Sequence, residues 1–213
     1  MVHNDTIENI LNAAEALFAE RGFSETSLRT ITSAAGVNLA AVNYHFGSKK
    51  ELIQAIFARF LTQFFQRVQI DLDRRLNAAS ESGLTLEDIL ACVVGSATSI
   101  DKERRERGAT TQFMRLIGLA YAQGQGHIKE FIISEYGEYY RGLIVQIKTA
   151  ASNLDAVEFF WRIHFALGAA VFSMSGFDAL QAIALAEYGE EVDVEVVLKR
   201  LVPVAAAMLR AEM

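Results

Sequence analysis

The sequence predicts an all-α fold, with an N-terminal three-helix helix-turn-helix unit followed by a larger C-terminal helical unit. Three observations lead there. Apolar residues recur at spacings of three and four along most of the chain, the period of a one-sided helix. A single proline interrupts 213 residues. Period-two alternation is almost absent; it occurs over Val192–Val196, and there Val194, Val197, Leu198 and Leu201 continue at helical spacing behind Asp193, a competent cap, so the segment is read as helix. The length suits one large domain or two small ones, and the division is expected between residues 48 and 49.

The first helix is marked by Ile7, Ile10, Leu11, Ala14, Leu17 and Phe18, and Gly22 ends it. Thr26 or Ser27 then offers a hydroxyl to the free amides of a second helix, whose Leu28, Ile31 and Ala35 share one face. Gly36 suits the left-handed position that stops a helix, and Asn38 caps a third. In that third helix Val42 and Phe46 point to one side, while Ala41, Asn43, Tyr44 and His45 remain for the other. A small residue lets a helix approach base edges, and amides, phenols and imidazoles hydrogen-bond to bases or phosphates. Ser48 caps a long helix that carries Leu52, Ile53, Ile56, Phe57, Phe60, Phe64 and Val68 and meets no glycine or proline before about Leu76. The boundary between the two units therefore falls inside a rigid rod.

Ser80–Gly83 breaks the pattern, and Thr85 with Asp88 forms a capping arrangement for the next helix. The run Asp101–Arg107, DKERRER, reads as a solvated helix end, because its charges nearly cancel. Helices are expected over about Ala109–Ala122 and His127–Ser152, with Gln123-Gly124-Gln125-Gly126 as the turn between them. Val157 to Phe172 and about Val194 to Ala211 supply two further apolar helices, the second expected to kink or divide at Pro203.

The motifs AGVN, NYHF and SKKEL, with Ala13-Ala14, Leu17-Phe18 and Arg21-Gly22-Phe23 upstream, resemble the signature of the TetR family of one-component bacterial repressors. The resemblance covers about the first quarter of the chain and departs from the family at Asn43, where many members carry a second tyrosine. It implies double-stranded operator DNA as partner, with Thr26, Ser27, Arg29, Asn38, Ala41, Asn43, Tyr44, His45 and Lys49 as candidate contacts. Tyr44 and Lys49 suit phosphates; Asn43 and Arg29 suit base edges. The family also implies a homodimer formed by the last two long helices, for which Trp161, His164, Gly168, Val171, Phe172, Leu198, Leu201, Ala205 and Met208 are the candidates. Periodicity alone allows both stripes to belong to the core of one chain.

A small apolar effector is the second implied partner. Phe57, Phe60, Phe64, Phe113, Met114, Ile117, Tyr121 and Phe159 are the candidate lining, with Arg115 placed to meet an anionic head group, an internal glutamate or solvent. The segments ERGFSETSLRTITSAAGVNLAAVNYHFGSKKELIQAIF and QFMRLIGLAYAQGQGH are similar to the PsrA-type branch of that family, which implies a long-chain fatty acid or acyl-CoA as effector. A drug-efflux regulator is the competing reading within the family, and Glu158 and Glu135 are the acids it would use.

Charge agrees with nucleic-acid binding once it is localised. The net charge is −6, yet Thr26–Lys50 holds Arg29, Lys49 and Lys50 and none of the 26 acids. The lone Cys92 excludes an internal disulfide, fits a cytoplasmic setting and lies in an apolar run, as a buried small hydrophobe would. The N-terminus lacks the pattern of a signal peptide, and the apolar stretch Phe165–Phe177 is shorter than a bilayer span. No cofactor is implied. An enzyme is disfavoured, since His3, His45, His127 and His164 lack metal spacing and no nucleophile triad is apparent. A helical lipid carrier would account for the apolar body but not for the acid-free island.

Overall fold

The computed structural model describes residues 2–79, 83–104, 108–151 and 154–210, with side chains described from residue 5 and, in the fifth helix, to residue 102. Among them are ten helices and no strand: α1 Val2–Glu25, α2 Leu28–Ala35, α3 Leu39–Phe46, α4 Lys49–Ala78, α5 Leu86–Arg104, α6 Ala109–Ala122, α7 Gly126–Ala150, α8 Ala156–Ser175, α9 Phe177–Tyr188 and α10 Val194–Arg210. Ser80–Ser82, Arg105–Arg107, Ser152 and Ala211, and the side chain of His3, lie outside the described residues.

Caps set the helix starts. Ser27, Asn38 and Ser48 accept the amides of Thr30, Ala41 and Glu51. Thr85 and Asp88 cap each other, the Asp88 amide donating to Thr85 Oγ1 at 3.2 Å and the Thr85 amide to Asp88 Oδ2 at 3.1 Å. Asp193 accepts the Val196 amide and starts α10, which is helix and not strand where the sequence alternates. Pro203 does not divide α10, which runs unbroken to Arg210. α9 is a helix the sequence pattern did not reveal; Gly176 ends α8 before it.

α1, α2 and α3 pack together against the start of α4 and form a head; α4 to α10 form the body. The two share one core. Ile10, Phe18, Phe23, Ile31 and Val42 of the head join Leu52, Phe57, Phe60, Phe113 and Leu116 in a single apolar cluster. A second cluster, around Val68, Leu72, Ile89, Cys92, Ile147, Phe159 and Leu209, closes the far end of the body, and Met174, Phe177 and Leu198 form a third. α1 is also clamped to α4 by Arg59, which donates to Asn12 at 2.6 Å and pairs with Glu8 and the buried Glu15.

α8 is the one helix among the described residues long and apolar enough, by length and composition, to cross a membrane. It carries the buried Arg162, whose guanidinium meets Glu158 at 2.6 Å and the Met208 carbonyl of α10 at 3.3 Å.

Candidate nucleic-acid interface and effector cavity

α2 and α3 are short, and tertiary contacts hold them. Ile31 and Val42 are fully buried beneath them, and Gly36, with φ +67°, turns the chain between them in the left-handed region. This leaves Asn43 and Tyr44 on the open side of α3, Tyr44 with 80% of its surface exposed. Ser27, Arg29 and Asn38 are exposed beside them, with no acid from residue 26 to residue 50. His45 is half-buried, its ring edge-on to Tyr44 at 5.0 Å. Ala41 is half-buried against the head core.

Two expected contacts are placed elsewhere. Thr26 has no exposed surface, and its hydroxyl donates to the carbonyls of Gly22 at 2.8 Å and Leu17 at 3.2 Å, so it secures the end of α1 instead of reaching a phosphate. Lys49 turns its ammonium inward, to the Phe23 carbonyl at 2.5 Å and over the Phe18 ring at 5.9 Å. Burial holds the Lys49 pKa below its usual value, against the opposing pull of Glu25. Lys50, which was not among the expected contacts, is the exposed cation at the start of α4.

The expected effector lining is divided among separate places. Phe57, Phe60 and Phe113 do come together, but as packed rings: Phe60 stacks on Phe113 at 4.1 Å, and Phe57 meets Phe113 edge-on at 5.6 Å. Phe64 extends the stack from Phe60, and Ile117 packs at its margin. Phe159 belongs to the second cluster and Met114 to the third, while Tyr121 is exposed. Arg115 donates to the Ser175 carbonyl at 2.9 Å and so caps the end of α8. Of the acids a cation-responsive cavity would need, Glu158 is paired with Arg162 and Glu135 is exposed.

Two open clefts lie away from these rings. One, of about 420 Å³, runs between α5 and α10 over Val94, Gly95, Val202 and Pro203, and its rim carries Lys102 and Lys199, both paired with Glu195. The other, of about 290 Å³, lies where α1 and α4 meet α7.

The expected dimer residues also separate. Trp161, Gly168 and Phe172 lie on an exposed face of α8, joined by Val157, Phe160 and Phe165. His164 is half-buried beside Phe160. Leu198 and Ala205 are buried in the single chain, so they are core and not free interface. Val171 packs on α6, where a Cβ on Gly118 would come within 3.0 Å of its Cγ1. Leu201 and Met208 are half-buried. Phe165 was missed, although it stands four residues from Trp161 and stacks on it at 6.0 Å.

The family model described as the tetracyclin repressor-like C-terminal domain matches residues 91–208, and that of the bacterial regulatory proteins of the tetR family matches residues 10–56. The chain belongs to the TetR family. The matched models are those of bacterial transcriptional regulators that bind DNA. The chain is 35% identical over 68 residues to the HTH-type transcriptional repressor KstR2 of Mycobacterium tuberculosis (strain ATCC 25618 / H37Rv), a match spanning 32% of this chain and 34% of that protein. It is 28% identical over 137 residues to the probable HTH-type transcriptional regulator YttP of Bacillus subtilis (strain 168), covering 61% of this chain and 64% of that one. The fold is shared with the fatty acid degradation regulator FadR from Bacillus halodurans, at a TM-score of 0.61 and 16% identity over 97% of both chains.

Proposed function

We propose that this TetR-family regulator is a cytoplasmic repressor that binds a palindromic operator as a homodimer and leaves it when a long-chain fatty acid or its CoA thioester binds the body. The DNA half rests on one observation. The open face of α3 presents Asn43 and a protruding Tyr44 from a scaffold whose Ile31 and Val42 are locked below, within an acid-free stretch of sequence. In a two-fold dimer the two α3 helices enter successive major grooves, their centres about 34–36 Å apart or a multiple of that spacing. The apolar face of α8, with Trp161, Phe165 and Phe172, is the surface proposed to cover its counterpart.

The effector half is supported by the similarity of Gln112–His127 to the PsrA-type branch and by the aromatic stack between α4 and α6. The FadR fold neighbour regulates fatty acid degradation, which agrees with that class. An acyl chain would part the Phe60–Phe113 stack and replace ring contacts with methylene contacts, each adding about 0.8 kcal/mol until the space is filled. The state so favoured must bind DNA less well, and a coupling of about 1–3 kcal/mol is typical of allosteric proteins. Of the two acids the drug-responsive reading would use, Glu158 is paired with Arg162 and Glu135 is exposed, which favours the acyl reading.

The test is operator binding, with the operator selected from fragments of the source genome, titrated with fatty acids and acyl-CoAs of increasing length and a cationic dye as control. Release that strengthens with chain length is expected. Release by the dye alone would move the protein to the drug-responsive reading, and no release by either would remove the effector claim and leave DNA binding standing.

A further inference from the structure

The 290 Å³ cleft at the junction of head and body is built from three segments far apart in sequence. Ser24 comes from the end of α1, Lys49 and Lys50 from the first turn of α4, and Gln125 and His127 from the turn into α7. Every titratable side chain lining it is basic. Two acids act on it from outside, Glu25 on Lys49 and Glu130 on His127.

His127 is the informative member. Its Nε2 is buried and has no hydrogen-bond partner among the described residues. Burial, and after it the charge of Lys50, hold the imidazole below its usual pKa, with Glu130 opposing. A buried ring nitrogen without a partner, beside the charge of Lys50, is the arrangement an anion would relieve. It would give the imidazole an acceptor and the lysines a counter-charge in one step.

We propose that this cleft binds a phosphate group, held by Lys50, His127 and Lys49, and that the bound phosphate ties the first turn of α4 to α7. A phosphate group matches the chemistry, because its tetrahedral oxygens can accept from donors that converge from different directions. Lys49 would exchange its bond to the Phe23 carbonyl for the anion, or share the two. The phosphate has two possible sources, the operator backbone or a soluble phosphate-bearing ligand. Only the first rests on the DNA-binding reading above.

The experiment uses the full chain and inorganic pyrophosphate as probe, with potassium chloride at matched ionic strength as control. Thermal unfolding and calorimetric titration are run on the wild type, Lys50→Gln and His127→Ala. Lys50 is exposed and its replacement is not expected to disturb folding, so it keeps the test informative if His127→Ala proves unstable. In a second arm, the salt dependence of operator binding is measured for the same proteins. Saturable stabilisation by pyrophosphate, weakened at least tenfold in both variants with unchanged salt slopes, would identify a soluble ligand as the source. A salt slope lowered by about one unit in Lys50→Gln, with operator binding weakened in His127→Ala, would identify the operator backbone. No response to pyrophosphate beyond that of chloride, together with wild-type operator binding and salt slopes in both variants, would overturn the proposal. Failure of the wild type to bind any operator would remove the DNA-binding reading and leave the pyrophosphate arm intact.

Discussion

Gln123, in the turn after α6, accepts the backbone amide of Phe23 on its side-chain oxygen at 3.0 Å, and that of Ser24 at 3.3 Å. Gly22 creates the need for this. Its backbone, at φ +83° and ψ 170°, breaks the helix where only glycine is comfortable, and the amides beyond it lose their helical acceptors. A Cβ on Gly22 would also collide with the Gln123 amide. Gln123 thus reaches from the body into the head, close to the point where Lys49 holds the Phe23 carbonyl.

Replacing Gln123 with leucine should leave two amides without their acceptor, at a cost of about 1–3 kcal/mol. Gln123→Glu keeps the acceptor and should recover most of the loss. Hydrogen exchange at Phe23 and Ser24, with thermal unfolding alongside, reads the effect; unchanged protection of both amides in Gln123→Leu would contradict it.

On the DNA face, Tyr44→Phe removes a hydroxyl suited to phosphate and should weaken binding to all duplexes alike. Asn43→Ala and Arg29→Ala should instead relax preference at one base pair each, by about 1–3 kcal/mol if the contact is bidentate. Anisotropy titrations against operators substituted one base pair at a time separate these roles. Lys49→Ala should reduce unfolding temperature as well as affinity, because its ammonium already serves the Phe23 carbonyl.

Trp161→Glu combined with Phe165→Glu places charges on the exposed face of α8, where neither ring is part of the chain's own core. Sedimentation should show a monomer whose helical circular dichroism matches the wild type. A persistent dimer would move the interface to another surface, of which α9, with exposed Ile183, Leu185 and Tyr188, is the next apolar one.

The Cys92 thiol is buried, and that burial, aided by the neighbouring Asp71, pushes its pKa up to about 12 from 9.0. Iodoacetamide at pH 8 should therefore label the native protein slowly and the unfolded protein readily. The raised value also sets a sign. The contribution of this group to stability is complete below pH 9 and is lost as pH rises from 9 towards 12, since the unfolded thiol ionises first. Denaturant midpoints measured across that range would check it.

Local chemistry wrote the helix boundaries into the sequence. Ser27, Asn38 and Ser48 bond to amides three residues on, and Asp193 does the same for α10, so neighbouring residues suffice to place those starts. The helix-turn-helix was legible for the same reason, because its caps, its turn at Gly36 and its buried Ile31 and Val42 all lie within one short stretch. Helical spacing says which residues share a face, but it cannot say what covers that face. Leu198, Ala205 and Val171 therefore looked like partner surface and proved to pack on their own chain, whereas the face of α8 bearing Trp161 stays open. The same limit applied to Lys49 and Arg115. A long cationic side chain goes to the strongest acceptor within reach, and their carbonyls, of Phe23 and Ser175, lie 26 and 60 residues away in sequence. Only the tertiary fold brings those groups together, so it alone decided which cations remain for DNA or ligand and which are spent on holding the protein.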